Sequence, residues 1–181
     1  IAAKSTDGSQ TDELSELQTA VDTISIALSN LSSFAQLNTT GLVQALGTAP
    51  SVNTYTDAGV SGVTTANLDA INDALASAAV NGAKADTPAE LQAIVDAYNK
   101  VIAAADGNPV NNTSGAALPG AADYAALGVT AVDAGTAALL SDVIDNLASA
   151  DVNTVAQLQA LADAAKTVLA YDNASTDTAP T

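Results

Sequence analysis

A chain of 181 residues without Cys, His, Met or Trp, whose four basic residues are all Lys, lacks the imidazole proton shuttle, the thiolate nucleophile and the N/S ligand set of zinc sites. Its formal net charge of −16 sets 20 acids against Lys4, Lys84, Lys100 and Lys166. That balance excludes binding to nucleic acid or to an anionic membrane through a basic patch, because such binding neutralises phosphate with Lys and Arg. The acidic surface reads instead as a solvated face that keeps the chain soluble. No apolar run is long enough for a transmembrane helix, and the start at Ile1, without a charged n-region and apolar h-region, predicts a processed or excised piece of something longer.

Residues 1–10 are small and polar and read as a frayed start. From about Asp12 to Asn30 or beyond, Leu17, Ala20, Val21, Ile24, Ala27 and Leu28 form the single stripe of an amphipathic helix. Asp12 and Glu13 sit at the positive end of its dipole. Leu31, Phe34 and Leu37 can extend it, Asn38 to Gly41 reads as a break, Leu42, Val43 and Leu46 as a short helix, and Gly47 to Asn53 as a connector. Tyr55 to Val60 reads as a short helical turn with Gly59 as a left-handed C-cap. Thr64 or Thr65 then caps a second helix carrying Leu68, Ile71 and Leu75, and a loop over Val80 to Asp86 follows.

Thr87, Pro88 and Glu90 make a capping box with Pro at the first helical position. They open a helix whose stripe is Leu91, Ile94, Val95, Tyr98, Val101 and Ile102, and Glu16 to Ile24 aligns with Glu90 to Tyr98 without a gap. A hinge-like linker occupies Asp106 to Gly120. The pattern then recurs: Tyr124 to Val129 matches Tyr55 to Val60, and Leu140, Val143 and Leu147 match Leu68, Ile71 and Leu75, with an insertion before the later helix. Thr154 and Gln157 supply a second capping box ahead of Leu158, Leu161, Ala162, Ala165, Val168 and Leu169. Fixed helix registers with insertions in loops are the mark of a repeated helical unit.

The expected fold is therefore all-α, as tandem small three-helix bundle repeats. Residues 1–48 form a partial repeat, 49–106 and 119–172 two units, 107–118 a linker and 173–181 a tail. Units of about 50 residues without disulfide or metal are marginal on their own cores, so they are modestly stable or pack on each other.

The order Tyr-x-x-x-Gly-Val, Leu-rich second helix, then Thr-x-x-(Glu/Gln)-Leu-Gln resembles the three-helix repeats found in tandem in very large secreted bacterial adhesins. Its layout is similar to the albumin-binding modules of bacterial cell-wall proteins, without their basic and aromatic surface. The likeness covers Tyr55 to Ala104, Tyr124 to Ala170 and the Asp12 to Leu28 helix. It implies an extracellular, cell-surface, rod-like or spacer segment; the expected partners are proteins, with self-association among the alternatives.

No catalytic group is expected. The pairs Asp69/Asp73 and Asp142/Asp145 share helix faces opposite the Leu stripe and read as solvated, and the Lys residues fall at polar positions, unsuited to a nucleophile pair. No cofactor is expected. Calcium is the one cation the donor set admits, at Asp106-Gly107-Asn108 and at Asp172, Asn173 and Asp177, but neither cluster forms an EF-hand or Gly-rich repeat loop. Tyr55 and Tyr124 read as rings packed across helix ends with their hydroxyls at the edge. Asn111 and Asn112 are glycosylation acceptors if the chain is secreted. The first helix has the stripe but no matching helices before it, so either the chain is cut through a repeat, or this helix packs on the Leu42 to Leu46 segment, or Leu17, Val21, Ile24, Leu28 and Leu31 form an assembly face. Three functions compete: a spacer, a filament subunit joined head-to-tail through that face, and a protein-binding three-helix module.

Overall fold

The computed structural model describes residues 9–38, 48–108 and 118–174, and the predicted helix over Leu42 to Leu46 lies outside them. Among the described residues the fold is all-α, with no strand beyond an isolated antiparallel bridge between Asp106 and Ala148. The first helix, α1 (Ser9–Asn38), runs unbroken through Leu31, Phe34 and Leu37. Its Thr19, Thr23 and Ser25 hydroxyls each donate to a carbonyl four residues back, so they are satisfied within the helix.

Two short helices, α2 (Val52–Asp57) and α5 (Ala121–Ala126), end alike. Gly59 and Gly128 turn the chain at φ +80° and +84°, and the next residue, Val60 or Val129, donates its N–H back to the carbonyl of Tyr55 or Tyr124 at 2.9 Å. Such a cap needs a left-handed residue, which is why glycine stands there. The second helices are α3 (Leu68–Leu75) and α6 (Ala134–Asp145). α3 starts later than a Thr64 or Thr65 cap predicts: Asn67 Oδ1 accepts from the Thr64 N–H at 2.6 Å and closes a separate turn first. Asp133 caps α6 by accepting from the Thr136 N–H at 2.8 Å.

Both predicted capping boxes form. At α4 (Pro88–Ala104), Thr87 Oγ1 accepts from the Glu90 N–H while Glu90 Oε2 accepts from the Thr87 N–H, and at α7 (Val155–Ala174) Thr154 and Gln157 do the same. Two of the four orphan N–H groups at each helix start are thereby engaged.

The helices pack as a chain of neighbours with α4 in the middle. α4 lies against α3 on one side and against α5, α6 and the 3-10 turn Ser149–Asp151 on the other. The C-terminal half of α1 lies against α2 and the 3-10 turn Gly82–Lys84, while α7 lies against α6 and α3. Buried apolar side chains form one core from Ala27 of α1 to Ala165 of α7. Hydrogen bonds join the helices up to α4 to those from α5 onward: the Tyr98 hydroxyl donates to the Val152 carbonyl at 2.9 Å, the Val155 N–H to Asp73 at 2.6 Å and the Lys100 ammonium to Asp123 at 2.7 Å.

One sequence match shifts. Tyr55 donates to Asn72 at 2.7 Å and Asn72 to the Pro50 carbonyl at 2.9 Å; Tyr124 bonds Ser141 at 3.1 Å and Ser141 donates to the Pro119 carbonyl at 2.7 Å. Both sets span 17 and 22 residues, so Leu140 stands where Ile71 does and Ile144 where Leu75 does. Matching Leu140 to Leu68 is three residues out of register, and the insertion placed before the later helix disappears. A three-residue slip turns a helix stripe by only about 60°, so periodicity alone does not detect it.

Candidate functional site

The carboxylates that sequence set on solvated faces divide. Asp69 and Asp142 are exposed, but Asp73 accepts from the Val155 N–H at the start of α7 and Asp145 is buried. Asp73 and Asp145 are therefore built into a helix end and into the packing. A closer carboxyl pair went unnoticed in the sequence. Asp86 and Glu90 share a hydrogen bond that raises Asp86, while the Thr87 hydroxyl, first, holds Glu90 low. Asp86 is exposed and Glu90 half-buried, and both belong to the helix cap, where their hydrogen bonds serve the turn.

Besides a smaller cleft of about 200 Å³ beside Thr23, Ile26 and Asp57, two clefts flank α1 between Asn30 and Leu37. One, of about 470 Å³, lies between α1 and the start of α2 and is lined by Asn30, Phe34, Leu37, Pro50 and Thr54, with no ionisable side chain. The other, of about 530 Å³, lies beside Gly82 and has Asp86 as its one ionisable group. Hydroxyls and amides without a base or a charged partner do not assemble an activated nucleophile. Asp106 accepts from the Asn108 N–H at 2.8 Å in a local turn. Among the described residues no three acidic side chains gather at a metal-sized site, and the side chains of Asp172, Asn173 and Asp177 lie outside them. Asn111 and Asn112 also lie outside the described residues.

Tyr55 and Tyr124 correct the expectation of hydroxyls at the edge: each ring is fully buried, and its hydroxyl is bonded inside to Asn72 or Ser141. Burial raises both phenols, Tyr124 to about 12. They are core anchors and offer no contact surface.

The predicted assembly face splits along α1. Leu17, Val21 and Ile24 stand bare, at 61%, 48% and 40% exposure, whereas Leu28 is half-buried and Leu31 lies in the core with Phe34 and Ala35. Leu31 is therefore not an assembly residue, because α2 and the Gly82–Lys84 turn already occupy that end of the helix. Leu14, 66% exposed, joins the bare stripe. Its place three residues before Leu17 was the available signal. At the aligned positions of α4, Leu91, Val95 and Tyr98 are all at 1% or less. The bare stripe is also poor in charge: Glu16 and Asp22 fall on other sides of the helix, with Asp22 engaged by Gln18 at 2.7 Å, and only Glu13 borders it. Such a face can bury apolar area against a partner and carries no group for chemistry.

No helix among the described residues is long and apolar enough to cross a membrane. No protein-family model matches the chain, and no curated protein and no solved structure is significantly similar to it.

Proposed function

We propose that the chain is a non-enzymatic structural segment, a spacer of the kind found in secreted bacterial surface proteins, built from small three-helix units stacked in tandem. The observation that carries this reading is the recurrence of one hydrogen-bonded scaffold. Besides the Tyr-to-Pro relay, Gln92 accepts from the Ser61 N–H at 2.9 Å and donates to the Ser61 carbonyl and to Asp96, and Gln159 does the same with Thr130 and Asp163. These clamps tie each third helix to the turn after the first one. Repetition of a scaffold is what a role in reach and spacing requires. The −16 charge suits it, since like-charged segments keep apart in water.

Single-molecule stretching of the full chain from its two ends tests the reading. Extension in discrete steps, each shorter than the whole chain, supports stacked units; one rupture releasing everything at once contradicts them. The bare stripe of α1 favours a second reading, a filament subunit joined through Leu17, Val21 and Ile24. Sedimentation across a concentration series separates the two, because the spacer remains a monomer and the filament subunit does not.

A further inference from the structure

We propose that the bare N-terminal half of α1 is a docking face whose occupant is the second helix of another unit of this kind, a helix built like α3. The inference rests on the stacked-unit reading and names the partner at its open end. Glu16 to Ile24 and Glu90 to Tyr98 are the same segment in two settings. In α4 the segment is covered by α3, which buries Ile71, Ala74 and Leu75, and its Leu91 and Val95 are inaccessible. In α1 the same positions are open.

The other half of each helix shows that the difference is one of neighbours. α4 meets α5 and the Ser149–Asp151 turn, and α1 meets α2 and the Gly82–Lys84 turn. Among the described residues α1 thus has the contact that a long helix makes with the unit after it and lacks the contact made with the second helix before it. The missing occupant is therefore of the α3 type: an amphipathic helix presenting Ile, Ala and Leu, approaching along a side of α1 that carries little charge. A second copy of this chain does not supply it by simple docking. Its α3 is covered by α4 and its α6 by α7, with Ile71, Leu75, Leu140 and Ile144 all at 1% exposure or less, so one of these pairs would first have to open. α7 carries the complementary gap: Val168 and Tyr171 are exposed, whereas Val101 and Ala104 at the matching positions of α4 are buried.

The chain has no Cys, so one introduced thiol reports local cover. The test places Val21→Cys in the full chain and in the full chain carrying residues 48–86 repeated ahead of Ile1, with Val95→Cys as the covered reference and Leu17→Cys as a second reporter. The thiol at position 21 should react freely in the former and slow about tenfold or more in the latter, as a residue moves from open solvent to packed cover. An unchanged rate in the extended chain, with position 95 still protected, overturns the proposal. So does slowing in the unextended chain as its concentration rises, which would make a second copy the occupant. A whole-chain rupture in stretching would defeat the stacked-unit reading while leaving slowed thiols as evidence for docking, so the two failures are distinct.

Discussion

At the scale of residues, the phenols of Tyr55, Tyr98 and Tyr124 do most to define the interior. Burial raises all three, with the Asp73 charge adding to it at Tyr98. A phenol whose folded pKa lies above the ordinary value of about 10 contributes stability that is complete below that value and is lost as pH rises toward the folded one. With Tyr171→Phe removing the exposed ring, phenolate absorbance should appear only together with loss of helical circular dichroism; absorbance rising well ahead of it would contradict the packing. The cap carboxylates act in the opposite sense. Glu90 is held low by the Thr87 hydroxyl and Asp133 by the Thr136 N–H, so their contributions are present above the usual carboxylate range and fade as pH falls.

Asn72→Ala should cost about 2 kcal/mol in urea titration, because it leaves a buried hydroxyl and the Pro50 carbonyl without partners. Ser141→Ala should act in the same sense; neutrality of both would show that the relay is not structural. The Tyr and Gly positions were legible in the sequence, but their partners were not. Asn in one unit and Ser in the other share only a distance along the chain, and composition does not reveal that.

Among the elements, α1 and α4 differ in cover far more than in sequence. Val21→Asp should change thermal stability by no more than about 0.5 kcal/mol, as an exposed substitution. Val95→Asp, at the aligned position, places a carboxylate in the core, where the charged form is strongly disfavoured, and should unfold the chain or shift its transition drastically. Equal effects would deny that one helix is bare and the other covered. Capping boxes made α4 and α7 readable and the apolar stripe made α1 so, since these signals are local, while the register of α6 was not. Which half of a stripe meets a partner was not readable, because periodicity marks an apolar face without naming its neighbour. Tyr98 illustrates this: its hydroxyl reaches Val152, 54 residues away.

For the whole molecule, the sequence reading left open whether the units stand alone or pack on each other; α4 lies against α3 as well as α5 and α6, and the buried side chains form one core. The ion pair from Lys100 to Asp123, at 2.7 Å between α4 and α5, is partly exposed and contributes less than about 1 kcal/mol. Loss of that ion pair should therefore cost little cohesion, which rests on apolar packing around α4. Repetition in the sequence showed which segments are alike, but the sharing of a helix between neighbours arises in packing, beyond the reach of alignment. Native-state hydrogen exchange on Leu140→Ala tests that sharing most directly. The cavity in α6 costs about 2–5 kcal/mol, and the amides of α3 and α4 should lose protection along with those of α6 and α7. Undiminished protection in α3 and α4 would contradict the continuous stack and leave two independent units.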